Sequence, residues 1–171
     1  MKRKKRHQIG IAIACVTLAM LGTLSLIIRT PYLTLTNAQT NALLYLTPFP
    51  EGEIFTISYT HSLHQSPVTE IYGHQDGQIT LIALEFETFG AGLPEVLEPG
   101  QTLTRLETGQ LRIDGMSRPM VDLRILIGHT TAHTLHIRGQ SIPLDTLDDP
   151  GQSLQLTPRQ LNFWQRLYSK R

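Results

Sequence analysis

The chain is short of cysteine, of positive charge over most of its length, and of helix-length apolar periodicity, and each shortage excludes a class of function. Cys15 is the only cysteine, so no disulfide forms within the chain, and neither a CxxC redox pair nor a cysteine zinc site is available. Stability has to come from packing. Six of the fifteen Lys and Arg residues lie in residues 1–30, where there is no acid. The remainder carries nine bases against fourteen acids, net −5, and residues 31–158 carry five against fourteen, net −9. Nucleic-acid binding needs a basic stripe, and none exists here. The G-x-S-x-G nucleophile elbow is also missing, as are internal repeats and low-complexity tracts.

What the chain does have begins with twenty uncharged residues, Ile9–Ile28, directly behind Lys2-Arg3-Lys4-Lys5-Arg6-His7. A helix rising ~1.5 Å per residue would make this run about as long as the ~30 Å hydrocarbon core of a bilayer. The expected topology is a basic cytoplasmic segment at 1–8, a transmembrane signal anchor at 9–28 and an extracytoplasmic remainder, by the positive-inside rule. Cleavage as a signal peptide and secretion is the alternative. Its cutting sites are weak, Thr23-Leu24-Ser25 and the later Thr30, which precedes Pro31 and follows bulky Ile28 by two residues, and Cys15 has too few apolar residues before it for a lipid anchor. The uncleaved anchor is the favoured reading.

After Pro31 the pattern changes to short segments rich in Thr, Ile, Leu and Tyr, separated by Gly, Pro and Asp. Strands are expected at 42–46, 54–59, 68–72, 78–89, 110–113, 121–127, 131–137 and 154–157. Phe55, Ile57 and Tyr59 share one face, as do Val121, Leu123, Ile125 and Ile127, and period two means half-buried antiparallel strands. The predicted fold is all-β: a single antiparallel β-sandwich or barrel-like domain over 31–158. Between Glu95 and Glu107 no element is legible. Residues 159–171 switch to a basic amphipathic pattern, with Leu161, Trp164, Leu167 and Tyr168 on one face of a short helix. Two roles are open for it. It docks on the β core as a cap, or Arg159, Arg166 and Lys170 meet lipid headgroups with Trp164 and Tyr168 at the interface.

The densest set of functional side chains runs from Tyr59 to Glu70, between two expected strands, where sites tend to be placed. His61, His64 and Glu70 would supply the three ligands a catalytic zinc requires, although His-x-x-His on a loop fixes no common direction. Ser62 or Ser66 with a histidine base would need an orienting group and oxyanion donors from elsewhere. A polar loop bonding locally explains the same residues. Of His129, His133 and His136, His133 is expected on the face of Leu135 and Ile137 and His136 on the other, so they cannot chelate together. Phe89-Gly90-Ala91-Gly92-Leu93-Pro94 follows Glu85 and Glu87. Its glycines permit a backbone nest for a carboxylate or phosphate, and equally a tight chain reversal. Glu85 and Glu87 face one side of their strand, as cation ligands or as a solvated surface.

Tyr59-Thr60-His61-Ser62, then Pro67 and Glu70, then Phe89-Gly90-Ala91-Gly92-Leu93-Pro94 resemble the signature of the small bacterial proteins known as domain of unknown function 1850. His64 is not part of that signature, which weakens a two-histidine metal site. The resemblance implies an extracytoplasmic β-domain often encoded beside TAXI-class TRAP transporters for organic anions, and it implies no established activity. The expected ligand-binding residues are His61, Ser62, Glu70, Gly90, Ala91 and Gly92, with Tyr59, Pro67, Phe89, Leu93 and Pro94 as the motif's structural members. No catalytic residue, metal or cofactor is assigned. The expected function is a membrane-anchored accessory or ligand-binding domain. Its partners would be the cytoplasmic membrane, TRAP transporter subunits or their solute-binding protein, and a small organic anion. A metal-assisted or serine-type envelope hydrolase centred on His61, His64 and Glu70 is the alternative, and a structural envelope protein the second.

Overall fold

Alternation of apolar and hydroxyl side chains, repeated between Gly and Pro turns, builds almost every element of the chain. The computed structural model describes residues 2–62, 65–89 and 96–169, and in the first helix the side chains of Ile13, Cys15–Met20 and those from Gly22 onward. The elements are α1 (Lys2–Ile27), β1 (Arg29–Asn37), β2 (Leu43–Pro48), β3 (Ile54–Thr60), β4 (Pro67–Gln75) and β5 (Gln78–Phe86). They continue with β6 (Thr102–Arg105), β7 (Leu111–Met120), β8 (Leu123–Leu126), β9 (Thr134–Ile137), β10 (Gln140–Pro143), β11 (Ser153–Asn162) and α2 (Phe163–Tyr168). Two units result, one of Met1–Pro31 with Gln160–Arg171, the other Tyr32–Arg159.

The larger unit holds a four-stranded sheet in the order β2-β1-β11-β8 and a seven-stranded sheet in the order β10-β9-β3-β4-β5-β7-β6. Both sheets contribute to one buried cluster, with Leu33, Leu35, Ile125 and Leu154 from the first and Phe55, Ile57, Tyr72 and Leu135 from the second. This is a two-sheet sandwich, antiparallel as alternation required. A second cluster, Val68, Leu84, Phe86, Leu111 and Ile113, draws only on the seven-stranded sheet. Tyr59 and Met116 pack against both clusters. The row between the clusters is where the larger sheet's inner face holds polar groups.

Two irregularities in that sheet coincide. Ile71 pairs with Ala83 and Tyr72 with Leu81, so Ile82 is an extra residue on β5. On the other side Leu81 pairs with Arg118 and Ala83 with Asp114, so Gly115, Met116 and Ser117 stand opposite Ile82. The extra residue lets Leu81 and Leu84, three apart in sequence, both be buried, while the longer insertion bends β7. Gly115 adopts φ +78°, and a Cβ there would collide with the carbonyl oxygen of Gly100.

The structure departs from the sequence reading at several places, including the earlier end of β5 at Phe86 and the later start of β9 at Thr134. β1, β6 and β10 were not expected; in β1, Pro31 sits near the start of the strand, where its missing N–H is tolerated. β7 extends to Met120 rather than stopping at Ile113, because the bulge at Gly115 destroys the alternation. Val121 is 95% exposed, unlike Leu123, Ile125 and Ile127, since the chain bends before β8 begins. Strand β11 continues to Asn162, and the helix that follows is only Phe163–Tyr168.

That helix is held by a capping box: the Asn162 side chain accepts from the Gln165 N–H while the Gln165 side chain accepts from the Asn162 N–H. Within the first unit, the Trp164 indole N–H donates to Ser25 Oγ at 3.0 Å. Among the described residues no helix is long and apolar enough to cross a membrane. The described side chains of α1 begin at Ile13, so only part of the Ile9–Ile28 run enters that statement.

Substitution at two glycines separates backbone strain from collision. Gly109→Ala, at φ +88° with nothing near the added Cβ, should lower stability by about 1–2 kcal/mol. Gly115→Ala should lose a further amount of about 1–3 kcal/mol from the Gly100 collision. Urea unfolding midpoints measure the difference, and equal losses would show that the bulge tolerates a side chain.

Candidate functional site

Glu70 is a carboxylate on the inner face of a sheet. Its register partners are Ile57 on β3 and Leu84 on β5, both buried, and alternation places Val68, Glu70 and Tyr72 on the same side of β4. An ionised carboxyl there needs donors, and its own sheet supplies them. Tyr72 O–H donates to Glu70 Oε2 at 2.7 Å, and Tyr59 O–H donates to Oε1 at 3.4 Å. Tyr72 is itself fixed by stacking on Phe55, centroids 5.0 Å apart.

Burial raises the Glu70 pKa above its ordinary value of 4.5, and the bonds from Tyr72 and Tyr59 act in the opposite direction without cancelling it. Burial first, and the neighbouring Glu70 charge second, push both phenols far above the usual tyrosine range. Both therefore remain neutral donors at any physiological pH. The Arg118 guanidinium is near enough to pull Tyr72 slightly the other way. Behind Tyr59 lies His133, ring centroids 4.9 Å apart, with Nδ1 at 3.0 Å from Thr131 Oγ1. Burial lowers the His133 pKa, which favours the neutral ring.

In front of this group is an open cavity of about 760 Å³. Leu81, Leu84 and Met116 give it an apolar floor, Tyr59 and Glu70 a polar wall, and Glu98, Gln101, Ser117 and Arg118 a mixed rim. The lining is mixed and more polar than apolar, so polar contacts would dominate recognition over the apolar burial usual in small-molecule sites. The β7 bulge brings Met116, Ser117 and Arg118 to it. A neutral Glu70 donates and accepts, an ionised one only accepts, and Arg118 offers a fork suited to a carboxylate.

The sequence-predicted residues divide around this cavity. Tyr59 and Glu70 line it, and Pro67 opens β4 opposite Thr60. His61 and Ser62 lie beyond β3, where the His61 N–H donates to the Ser66 carbonyl and the Gln65 N–H to the His61 carbonyl, each at 2.8 Å. His61 is four residues along from Ile57, the rung of Glu70, or about 13 Å at strand spacing. Phe89 packs edge-on against Phe86 of the second cluster. His64, Gly90, Ala91, Gly92, Leu93 and Pro94 lie outside the described residues. The flanking Val96 and Glu98 line the cavity.

Other expectations are settled by local contacts. His133 shares the inner face with Leu135 and Ile137, whereas His136 lies on the other side, with Nε2 at 2.8 Å from Ser58 Oγ and Nδ1 at 2.9 Å from Ser141 Oγ. Glu85 accepts from Arg112 at 2.7 Å, and the same guanidinium bonds Asp114. Among the described residues no group of three or more His, Cys, Asp or Glu is placed to hold a metal ion. Sequence reasoning missed Tyr72, Gln101 and Arg118. Tyr72 was within reach, two residues from Glu70 on one strand face, but Arg118 depends on the bulge.

Fold and site together define a β-sandwich domain with a polar inner row that opens into a cavity of ligand size. The sequence model of Domain of unknown function (DUF1850) matches residues 55–144, more than half of the chain, and the protein belongs to that family. No curated protein and no solved structure matches it. The matched span takes in Tyr59, Glu70, Tyr72 and Arg118.

The raised Glu70 pKa carries a sign that is measurable. The folded state holds this proton more tightly than the unfolded one, so the contribution to stability is full below about pH 4.5 and is lost as pH rises through the folded value. Glu70→Gln removes the slope, so urea midpoints should move in favour of the variant between pH 4 and 8, and a constant difference would contradict the assignment. Tyr72→Phe should cost about 1–3 kcal/mol at neutral pH, where it strips a donor from a buried carboxylate.

Proposed function

We propose that the protein is a membrane-anchored, extracytoplasmic binding domain for a small organic anion, working with a TRAP-type transporter or its solute-binding protein. The observation that carries the reading is Glu70, desolvated and held by Tyr72 and Tyr59 in the wall of an open cavity with Arg118 on its rim. Arg118 receives the ligand's carboxylate, while Glu70 and Tyr59 meet a hydroxyl or second acid group deeper in. The apolar floor takes the carbon body. Burial of Glu70 supports recognition of acids, because it favours the neutral form, which donates where an ionised one would repel. The apolar run Ile9–Ile28 behind five bases supports anchoring, and the association implied by family resemblance supplies the transporter as partner. The hydrolase alternative has a Ser58–His136 hydrogen bond in its favour, but that pair lies on the face of the sheet away from Glu70 and the cavity.

Calorimetric titration of the full-length protein in detergent with succinate, malate and glutamate tests the binding. At least one should bind, and Arg118→Ala should weaken it about tenfold or more, the loss expected of a charge-assisted hydrogen bond. Absence of heat with all three at pH 5 and pH 7 would refute the ligand class. Copurification from solubilised membranes tests the partner: failure to recover any transporter component while the transporter's own subunits stay together would count against it.

A further inference from the structure

The first unit contains a crevice that neither the β-domain nor the cavity uses. It measures about 340 Å³. Leu24, Ile28 and Phe163 form its walls, Ser25 and Asn162 give it polar edges, and Arg166 is the charged residue among its described lining. The guanidinium lies over the Phe163 ring, 5.5 Å from the centroid. Two bonds fasten α2 to α1 beside it: Trp164 Nε1–H to Ser25 Oγ at 3.0 Å, and Asn162 Nδ2–H to the Leu26 carbonyl at 3.5 Å.

The depth of this crevice follows from helix geometry. Counting ~1.5 Å per residue from Ile9, the stretch Ser25–Ile28 stands about 24–29 Å along the apolar run, close to the far boundary of a ~30 Å hydrocarbon core. Headgroups begin there. An apolar crevice that carries one guanidinium at that depth suits the phosphate and first methylenes of a lipid. Arginine is suited to phosphate because its planar fork donates two parallel bonds. Trp164 and Tyr168 are placed as interfacial aromatics of the usual kind. The described lining residues include no acid.

We infer that α2 and the end of α1 form a binding site for one anionic phospholipid, with Arg166 on its phosphate and Leu24, Ile28 and Phe163 against its upper acyl chain. This rests on the anchoring reading above and adds to it a specific lipid class and a specific residue. Capping of α2 by Asn162 and Gln165 holds Arg166 and Trp164 on a six-residue helix that would not persist alone. The C-terminal segment thereby reads the leaflet that the anchor only crosses.

Trp164 is the single tryptophan, and at 42% exposure it can be reached by lipid, so it reports on its own neighbours. The full-length protein is reconstituted into phosphatidylcholine vesicles that contain, at equal mole fraction, either brominated phosphatidylglycerol or brominated phosphatidylcholine. The expected result is stronger quenching by the glycerol lipid, corresponding to a local enrichment of about fivefold, which is about 1 kcal/mol for one base near an anionic surface. Arg166→Gln should abolish the preference and Arg166→Lys should retain part of it. Equal quenching by the two lipids in wild-type protein that floats with the vesicles would overturn the lipid site and leave the anchor standing. Protein that does not float with the vesicles would overturn the anchor and the site together. The wild-type comparison decides the matter even if the Arg166 variants fold poorly.

Discussion

The hydrogen bond from Tyr72 to Glu70 is the contact on which the reading of this domain depends. A carboxyl group on the inner face of a sheet, between two apolar clusters, is costly to ionise unless donors meet its oxygens. Tyr72 comes from the same strand and the same face, Tyr59 from the neighbouring strand, so the donors arrive with the sheet and need no loop to place them. The phenols cannot lose their protons beside that charge. Glu70 consequently has a fixed orientation and a proton held more tightly than in water, the properties of a recognition group rather than of a surface acid.

The second constraint is the mismatch between the two sheets. Four strands face seven, and the cluster built on Val68, Leu84 and Phe86 involves the larger sheet alone. Where the sandwich core ends and that cluster begins, the inner face is open to solvent, and the paired bulges at Ile82 and Gly115–Ser117 bring Met116 and Arg118 to the opening. Bulges beside functional sites commonly re-aim side chains in this way. Packing and chemistry are coupled here: the irregularity that buries both Leu81 and Leu84 also shapes the cavity over them.

Much of this was legible in the chain before any coordinates. The all-β class followed from short alternating segments, and the inner faces of β3 and β9 from period two, including the opposite placement of His133 and His136. Glu70 stood out as a ligand-binding candidate within the polar segment that begins at Tyr59, while Tyr59 itself reads there as a structural member of the motif. What could not be read depends on departures from periodicity. Arg118 reaches the cavity only because three residues on β7 oppose one on β5, and no local pattern announces that count. Tyr72 was passed over because an aromatic on a strand reads as core, which it also is, at 2% exposure. The emphasis on His61 and Ser62 came from their chemistry in the abstract, whereas the register puts them several rungs from the carboxyl.

The most direct test of the account is the titration of the Glu70 side chain itself, followed by carboxyl carbon NMR in protein labelled at glutamate and assigned with Glu70→Gln. The account predicts a midpoint above 4.5, because burial outweighs the tyrosine bonds, and a still higher midpoint in Tyr72→Phe, where the larger of the opposing bonds is gone. A midpoint at or below 4.5, or one that Tyr72→Phe leaves unchanged, would show Glu70 to be an ordinary solvated acid and would remove the basis for the site.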